Sequence, residues 1–323
     1  DMPAISATAP GKVILLGEHA VVYGQPAIAV PVFQVRARAI IIPQPGKPPG
    51  WIRVQAPDIG IDALFSELQE GDPLKEALQQ VIKQTGVARP PALTLRVSST
   101  IPVASGLGSG AAVTVAIIRA LAEYLGFRLP EDRVSEMAFE VEKIHHGTPS
   151  GIDNSVVTYA RPIYFERKPM SGEKRLETLP VGQPFTLVIG DSGVPSSTAR
   201  AVGSVRESWK ANPQYFESIF LQIGELVRKA RRTIEDGNLQ TLGSLMRQNQ
   251  ALLTEMGVSS EELDWLVHAA LRAGALGAKL SGAGLGGNMI ALVAAEKADE
   301  MANVLISAGA VRTYITRIGN RTT

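Results

Sequence analysis

The chain has 323 residues, 45% of them hydrophobic, 20% charged and 5% aromatic, with a formal net charge of +1. That balance supplies no basic field for nucleic acid and no polybasic surface for anionic lipid, and no apolar run approaches the roughly 20 residues of a membrane span. The lack of any cysteine excludes disulfides, thiolate zinc sites and cysteine nucleophiles together.

Four histidines, His19, His145, His146 and His268, show no metal-ligand spacing, so a transition-metal centre is not expected. Single hydrophobic cores stop growing at about 250–300 residues, so this length allows two domains. No charged-then-apolar leader is evident at the start, and the expected setting is the cytoplasm with small-molecule chemistry.

Residues 6–9 and 13–16 read as two extended segments around Ala9-Pro-Gly-Lys12, followed by extended residues 27–32, 34–42 and 51–55. Leu74, Ala77, Leu78 and Ile82 have helical spacing closed by Gly86. A strand at 92–97 leads into a glycine-rich loop and then an almost wholly apolar helix at 111–125, and a further helix at 130–145 carries Glu142. Residues 156–160 and 162–165 read as strands, and the polar stretch 166–183 is the candidate boundary between a domain at 1–180 and another at 181–323. Beyond it come a buried strand at 185–191, helices beginning at Pro213, at 239–256 and at 261–273, and then strand, glycine loop, strand, helix and strand to the end. The fold class is α+β, two domains with a cleft between them.

Three stretches carry the chemistry. The loop Pro102-Val-Ala-Ser105-Gly106-Leu107-Gly108-Ser109-Gly110-Ala111-Ala112 joins a strand to a helix. In that order the unpaired N–H groups of the helix's first turn and its dipole make an anion site, and phosphate is the natural guest. It matches neither the Walker pattern nor the dinucleotide fingerprint, and an ordinary strand-to-helix turn is the alternative. Near the start, Lys12, Glu18 and His19 stand in one glycine-framed segment, Ala9-Pro-Gly-Lys12 to Gly24; a hairpin with solvated charged tips is the plain alternative. Near the end, Ser281-Gly-Ala-Gly-Leu285-Gly-Gly287 is a third glycine-rich turn.

Together these motifs, in this order, resemble the GHMP kinases, the superfamily that phosphorylates galactose, homoserine, mevalonate and phosphomevalonate. Gly17-Glu18-His19-Ala-Val-Val-Tyr-Gly24 and His146-Gly-Thr-Pro-Ser150-Gly151-Ile-Asp153-Asn154 look most like its mevalonate-phosphorylating branch. The resemblance implies an N-terminal domain like the second domain of ribosomal protein S5 and a ferredoxin-like C-terminal domain. It also implies ATP as phosphoryl donor, Mg2+, and the 5-hydroxyl of mevalonate as acceptor, with a homodimer as the inherited expectation. Phosphoryl transfer asks for positioning and charge neutralisation more than covalent chemistry.

Under that resemblance Asp153 is the general base facing the acceptor hydroxyl, and Lys12 is the cation paired with it. Pro102, Ser105, Gly106, Leu107, Gly108, Ser109, Gly110 and Ala111 form the ATP-binding loop. Glu142 and Ser109 are the Mg2+ ligands; Glu140 is expected to point elsewhere. Glu18, His19, Ser150, Gly151 and Thr198 surround the acceptor. His145 and His268 read as ordinary helix-face residues and His146 as a helix terminator. The sequence departs from the pattern at Gly110, where a metal-ligating serine is common, at Leu285, where glycine is usual, and at Asn288-Met289, in place of Cys-Gly. Rival expectations are phosphomevalonate kinase chemistry, diphosphomevalonate decarboxylation, or a non-catalytic sensor on the same scaffold.

Overall fold

The computed structural model describes residues 3–146 and 149–319. Its residues gather into two compact units, neither of them one continuous stretch. Unit 1 holds the residues up to Gly11, Val35–Val103 and Leu107–Ala160; unit 2 holds Lys12–Gln34, Ala104–Gly106 and the chain from Arg161 onward. The division at Ala160 and Arg161 falls ahead of the polar stretch expected to mark the boundary, because that stretch contains a paired strand.

The first elements are β1 (Ile5–Leu16), β2 (Ala27–Pro43), β3 (Ile52–Ala56), β4 (Ile61–Leu64), α1 (Pro73–Thr85), β5 (Leu93–Ser99), α2 (Ser109–Tyr124), α3 (Glu131–His146) and α4 (Ile152–Tyr159). In unit 1 the strands run β4, β3, β5, β2, with β3 parallel to β5 and the other pairs antiparallel. Along β2, Val35, Ala37, Ala39 and Ile41 are buried while Arg36 and Arg38 are exposed, the period-two pattern of a half-buried sheet. Ile41 stands opposite Leu95 and Ala39 opposite Val97.

Asp72 starts α1 by accepting from Leu74 N at 2.8 Å, Pro73 occupies the first helical position, and Gly86 closes the helix at φ 70°. α2 packs on α1, α3 and α4, so Val115, Ile117, Ile118 and Leu121 are all buried. Enclosure on several sides explains why its sequence lacks a polar stripe.

Two expectations are corrected. The segments at 6–9 and 13–16 are one strand, β1, running straight through Ala9-Pro-Gly-Lys12. Residues 156–160 are not a strand: they belong to α4 and its cap, where Val156 and Val157 are buried on a helix bracketed by left-handed Gly151 (φ 94°) and Ala160 (φ 50°). A helix for which the sequence analysis gives no expectation runs from Thr198 to Ala211.

Unit 2 continues with β6 (Ile163–Arg167) and β7 (Lys174–Thr178), antiparallel strands beside the first part of β2, where Ala27 faces Phe165. Then follow β8 (Phe185–Asp191), α5 (Thr198–Ala211), α6 (Pro213–Asp236), α7 (Leu239–Glu255), α8 (Glu261–Arg272), β9 (Gly277–Ser281), β10 (Asn288–Val293), α9 (Ala298–Ser307) and β11 (Arg312–Ile318). Their sheet is fully antiparallel in the order β11, β8, β10, β9. Strand, helices, two strands, helix, strand in this order is the ferredoxin-like arrangement expected, with a longer helical insertion after its first strand. α8 and α9 cover this sheet, and α7 packs along β9. Phe216, Ile219, Phe220, Ile223 and Val227 form the buried stripe of α6, with Phe220 stacked on Tyr23 at 4.1 Å between ring centroids. Among the described residues no helix is long and apolar enough to cross a membrane.

Candidate active site

The segment from Lys12 to Gly24 leaves β1 and turns sharply. Gly17 has φ 103°, and a Cβ there would lie 2.6 Å from Ala27 Cα and from Pro26 O, so only glycine fits. His19 has φ 62° and ψ −52°, and Ala20 N donates to Glu18 O at 2.7 Å. These values define the γ-turn of positive φ, the rarer and more strained of its two forms. Backbone strain of this kind costs about 1–3 kcal/mol and persists only where surrounding contacts enforce it.

Those contacts come from β9 and the third glycine loop. Lys279 Nζ donates to Glu18 Oε1 at 2.7 Å and Oε2 at 2.5 Å, and to Leu280 O at 2.6 Å. Both side chains are buried, 0% and 1% exposed. Burial pushes the Glu18 carboxyl up and the Lys279 ammonium down, while their mutual contact opposes both shifts; the charge of Lys12 also favours the Glu18 carboxylate. Ser281 Oγ donates to Ile14 O at 2.7 Å, and His19 Nε2 lies 2.7 Å from Ala283 O. A carbonyl only accepts, so Nε2 carries the proton. Burial lowers the His19 pKa below its usual value, which favours the neutral ring and leaves Nδ1 with a lone pair. The Glu18 carboxylate, expected to hydrogen-bond the acceptor, is buried, and Lys279 holds both of its oxygens.

Within the third loop, a Cβ on Gly284 would meet Val258 O at 2.1 Å, and one on Gly286 would meet Val194 O at 2.6 Å. Leu285 N donates to Val258 O at 2.8 Å with Leu285 itself at φ 58°. That is the left-handed region, where a residue with a Cβ carries strain. Ser196 Oγ donates to Gly284 O at 2.7 Å, tying the loop to the turn before α5.

The second motif bends at Ala104 (φ 55°), Gly106 (φ 77°) and Gly108 (φ 77°). Leu107 is buried and anchors the loop, whereas Gly106 and Gly110 are exposed and Pro102, Ser105, Gly108 and Ser109 are half-buried. Gly108 is the N-cap of α2 and no side chain caps that end, so the amides of Ser109, Gly110 and buried Ala111 form the helix's first turn without a side-chain acceptor. In unit 2, Asn288 Nδ2 donates to Ser105 O at 2.6 Å. Asn288 Oδ1 is buried without a hydrogen-bond partner among the described residues.

In unit 1, Asp153 sits half-buried in the first turn of α4, directly after Gly151. Ser150 Oγ accepts from Ile152 N at 3.2 Å, and Ser155 Oγ donates to Gly151 O at 2.6 Å, so Ser150 and Gly151 fix the entry of this helix. Asn154 Nδ2 donates to Ser135 O at 3.0 Å and Oγ at 2.8 Å, locking α4 on α3. Arg119 Nη2 on α2 reaches Thr158 O at 2.5 Å. Glu142 is half-buried on α3, and Glu140 pairs with Lys143 at 2.7 Å. Gly147 and Thr148 of this motif lie outside the described residues.

Thr198 is exposed at the first position of α5, whose N-cap is Ser197. Lys279 is the site residue that sequence reasoning missed. Its signal was a lysine inside the apolar run Ala278-Lys-Leu280, a charge that a buried strand tolerates only against a counter-charge. Among the described residues no cluster of three His, Cys, Asp or Glu side chains could hold a metal.

The GHMP kinases N terminal domain family matches residues 72–161, and the GHMP kinases C terminal family matches residues 226–311. The mevalonate kinase of Thermococcus sibiricus is 37% identical over 98% of this chain and 98% of its own length. Among solved structures, L. major mevalonate kinase in complex with R-mevalonate superposes with a TM-score of 0.83 at 31% identity, covering 98% of this chain and 97% of that one. The Methanococcus jannaschii mevalonate kinase gives a TM-score of 0.83 at 25% identity, covering 98% and 99%.

Proposed function

This chain belongs to the GHMP kinase family, and from that premise we propose that it transfers the γ-phosphoryl group of ATP to the 5-hydroxyl of mevalonate, yielding 5-phosphomevalonate and ADP. The observation that carries the reading is the full-length likeness to mevalonate kinases, with Lys12, Glu18, His19 and Ser105–Ser109 at the matching positions of the first and second motifs.

The uncapped first turn of α2 and the bends at Gly106 and Gly108 suit the β- and γ-phosphates, whose oxygens accept from outward-facing amides. Asp153 takes the hydroxyl proton as the acceptor oxygen attacks the γ-phosphorus; the bond to the β-phosphate oxygen breaks and ADP leaves. The first turn of a helix, where Asp153 stands, favours an acidic side chain. Lys12, buried in β1, steadies charge on the phosphoryl group in flight. His19 accepts a hydrogen bond from an acceptor hydroxyl through Nδ1, and Thr198 orients the acceptor end of the site.

Mg2+ suits this donor set, because it takes hard oxygen ligands and is held by one or two carboxylates with phosphates and water rather than by an all-protein cage. Glu142 and Ser109 are the residues that would hold it, and bound there it would neutralise phosphate charge.

The test is a panel of alcohols and phosphorylated alcohols with ATP and Mg2+, following ADP and locating the new phosphate. Mevalonate is expected to be preferred by a wide margin. Asp153→Asn is expected to lower turnover by about 10²–10⁴-fold with an unchanged melting temperature. Preference for phosphomevalonate would favour the sister kinase reaction, and full activity of Asp153→Asn would end its role as base.

A further inference from the structure

We propose that Glu18 is a positioning residue and not an acceptor ligand: locked by Lys279, it holds the strained γ-turn that presents His19 to the substrate. The inference rests on the reading of His19 as an acceptor contact.

Three observations converge. The Glu18 carboxylate is 1% exposed, and Lys279 holds both of its oxygens. The main-chain carbonyl of the same residue closes the turn by accepting from Ala20 N, which sets His19 at φ 62°. On the far side of that turn the imidazole is tied by Nε2 to Ala283 O, within the loop that follows Lys279 on β9. The ring is therefore gripped at one end through the chain and at the other through its own nitrogen, and both grips come from residues 277–283. A non-glycine residue leaves the left-handed region readily unless neighbours hold it there. The ion pair is the strongest such hold, because separating the two charges would leave each buried without a partner. Gly17 N donating to Asn249 Oδ1 at 3.3 Å fixes the preceding residue as well. What the substrate meets is Nδ1 of His19, with its lone pair fixed in direction.

The arrangement separates two roles that sequence adjacency blurs. If Glu18 itself touched the acceptor, its negative charge would be irreplaceable. If it acts through Lys279, an uncharged pair of similar volume serves as well, since buried ion pairs are replaceable by well-packed apolar residues.

The experiment compares the wild type with Glu18→Gln and with the double variant Glu18→Leu/Lys279→Met, measuring KM for mevalonate and for ATP. It also follows the His19 Nε2 proton by NMR on 15N-histidine-labelled protein, with His19→Gln to assign it. Glu18→Gln is expected to raise KM for mevalonate about tenfold, leave KM for ATP within about twofold, and abolish the slowly exchanging Nε2 proton signal. The double variant is expected to regain that signal and a mevalonate KM within about threefold of wild type. A double variant that regains the signal and the melting temperature but keeps the raised mevalonate KM would show that the carboxylate touches the acceptor, and the proposal fails. It fails equally if Glu18→Gln changes neither signal nor KM. Should the single variant not fold, the double variant alone decides. Should the wild type not use mevalonate, the function proposed above falls, while the NMR comparison still tests the hold on His19.

Discussion

Asn288 Nδ2 donates to Ser105 O at 2.6 Å, joining the strand after the third glycine loop to the bend before α2 across 183 positions of sequence. The side-chain amide holds the carbonyl of the residue just before Gly106. Removing a hydrogen bond of this kind costs about 0.5–1.5 kcal/mol, so Asn288→Ala is expected to raise KM for ATP about 3–10-fold with KM for mevalonate unchanged. Its melting temperature is expected to move little, because the substitution also removes the buried Oδ1 that lacks a partner among the described residues. Equal increases in both KM values would show a general loss of structure instead.

Gly110 tests the proposed Mg2+ site. It lies in the first turn of α2 with ordinary helical backbone, and a Cβ would meet nothing within 4 Å, so Gly110→Ser fits without strain. The added hydroxyl is expected to lower the Mg2+ concentration needed for half-maximal activity. Unchanged Mg2+ dependence would instead assign the hydroxyl ligand to Ser109.

His19 sets a pH limit on stability. Burial holds its pKa below the unfolded value near 6.5, so the unfolded chain binds the proton first as pH falls. The stability contributed by the neutral ring is present above about pH 6.5 and is lost as pH drops through the folded pKa. The melting temperature of the wild type is expected to fall more steeply below about pH 6.5 than that of His19→Gln, which has no ring to titrate. Glu18 and Lys279 are present in both proteins and cancel in the difference. Parallel curves would refute the assignment.

Two glycines of the third loop separate strain from collision. Both Gly282 (φ 92°) and Gly284 (φ 81°) occupy the left-handed region, but a Cβ at Gly282 meets nothing within 4 Å while one at Gly284 would lie 2.1 Å from Val258 O. Gly282→Ala is expected to cost about 1–2 kcal/mol in urea unfolding, the price of backbone strain alone. Gly284→Ala is expected to cost clearly more, because Val258 O also accepts from Leu285 N and cannot withdraw without breaking that bond. Equal losses would mean that the Val258 turn yields freely.

Much of this architecture was legible in the sequence because local rules wrote it. Asp72, Pro73 and Gly86 delimit α1, and alternation along β2 marks its buried face. α4 was misread because Val156 and Val157 lie on a short helix packed against α2 and α3, and burial erases the stripe that would betray its period. α5 was missed for the opposite reason: only Ala201 and Val205 are buried, too few to register a stripe. The role of Glu18 was hidden by distance, since its counter-charge lies 261 positions away and nothing local distinguishes it from a substrate ligand. The positions of the glycine motifs could be read; the interactions among them required the folded chain.

Lys12–Gln34 belongs to the same compact unit as the chain beyond Arg161, which bears on how the protein is made. On the ribosome Glu18 emerges early and must wait for Lys279 until most of the polypeptide has been synthesised. Until then the turn at His19 lacks both of its anchors, so this part of the molecule closes late. A fragment beginning at Arg161 would lack the early segment altogether, and its central lysine would remain an uncompensated charge inside an apolar sheet.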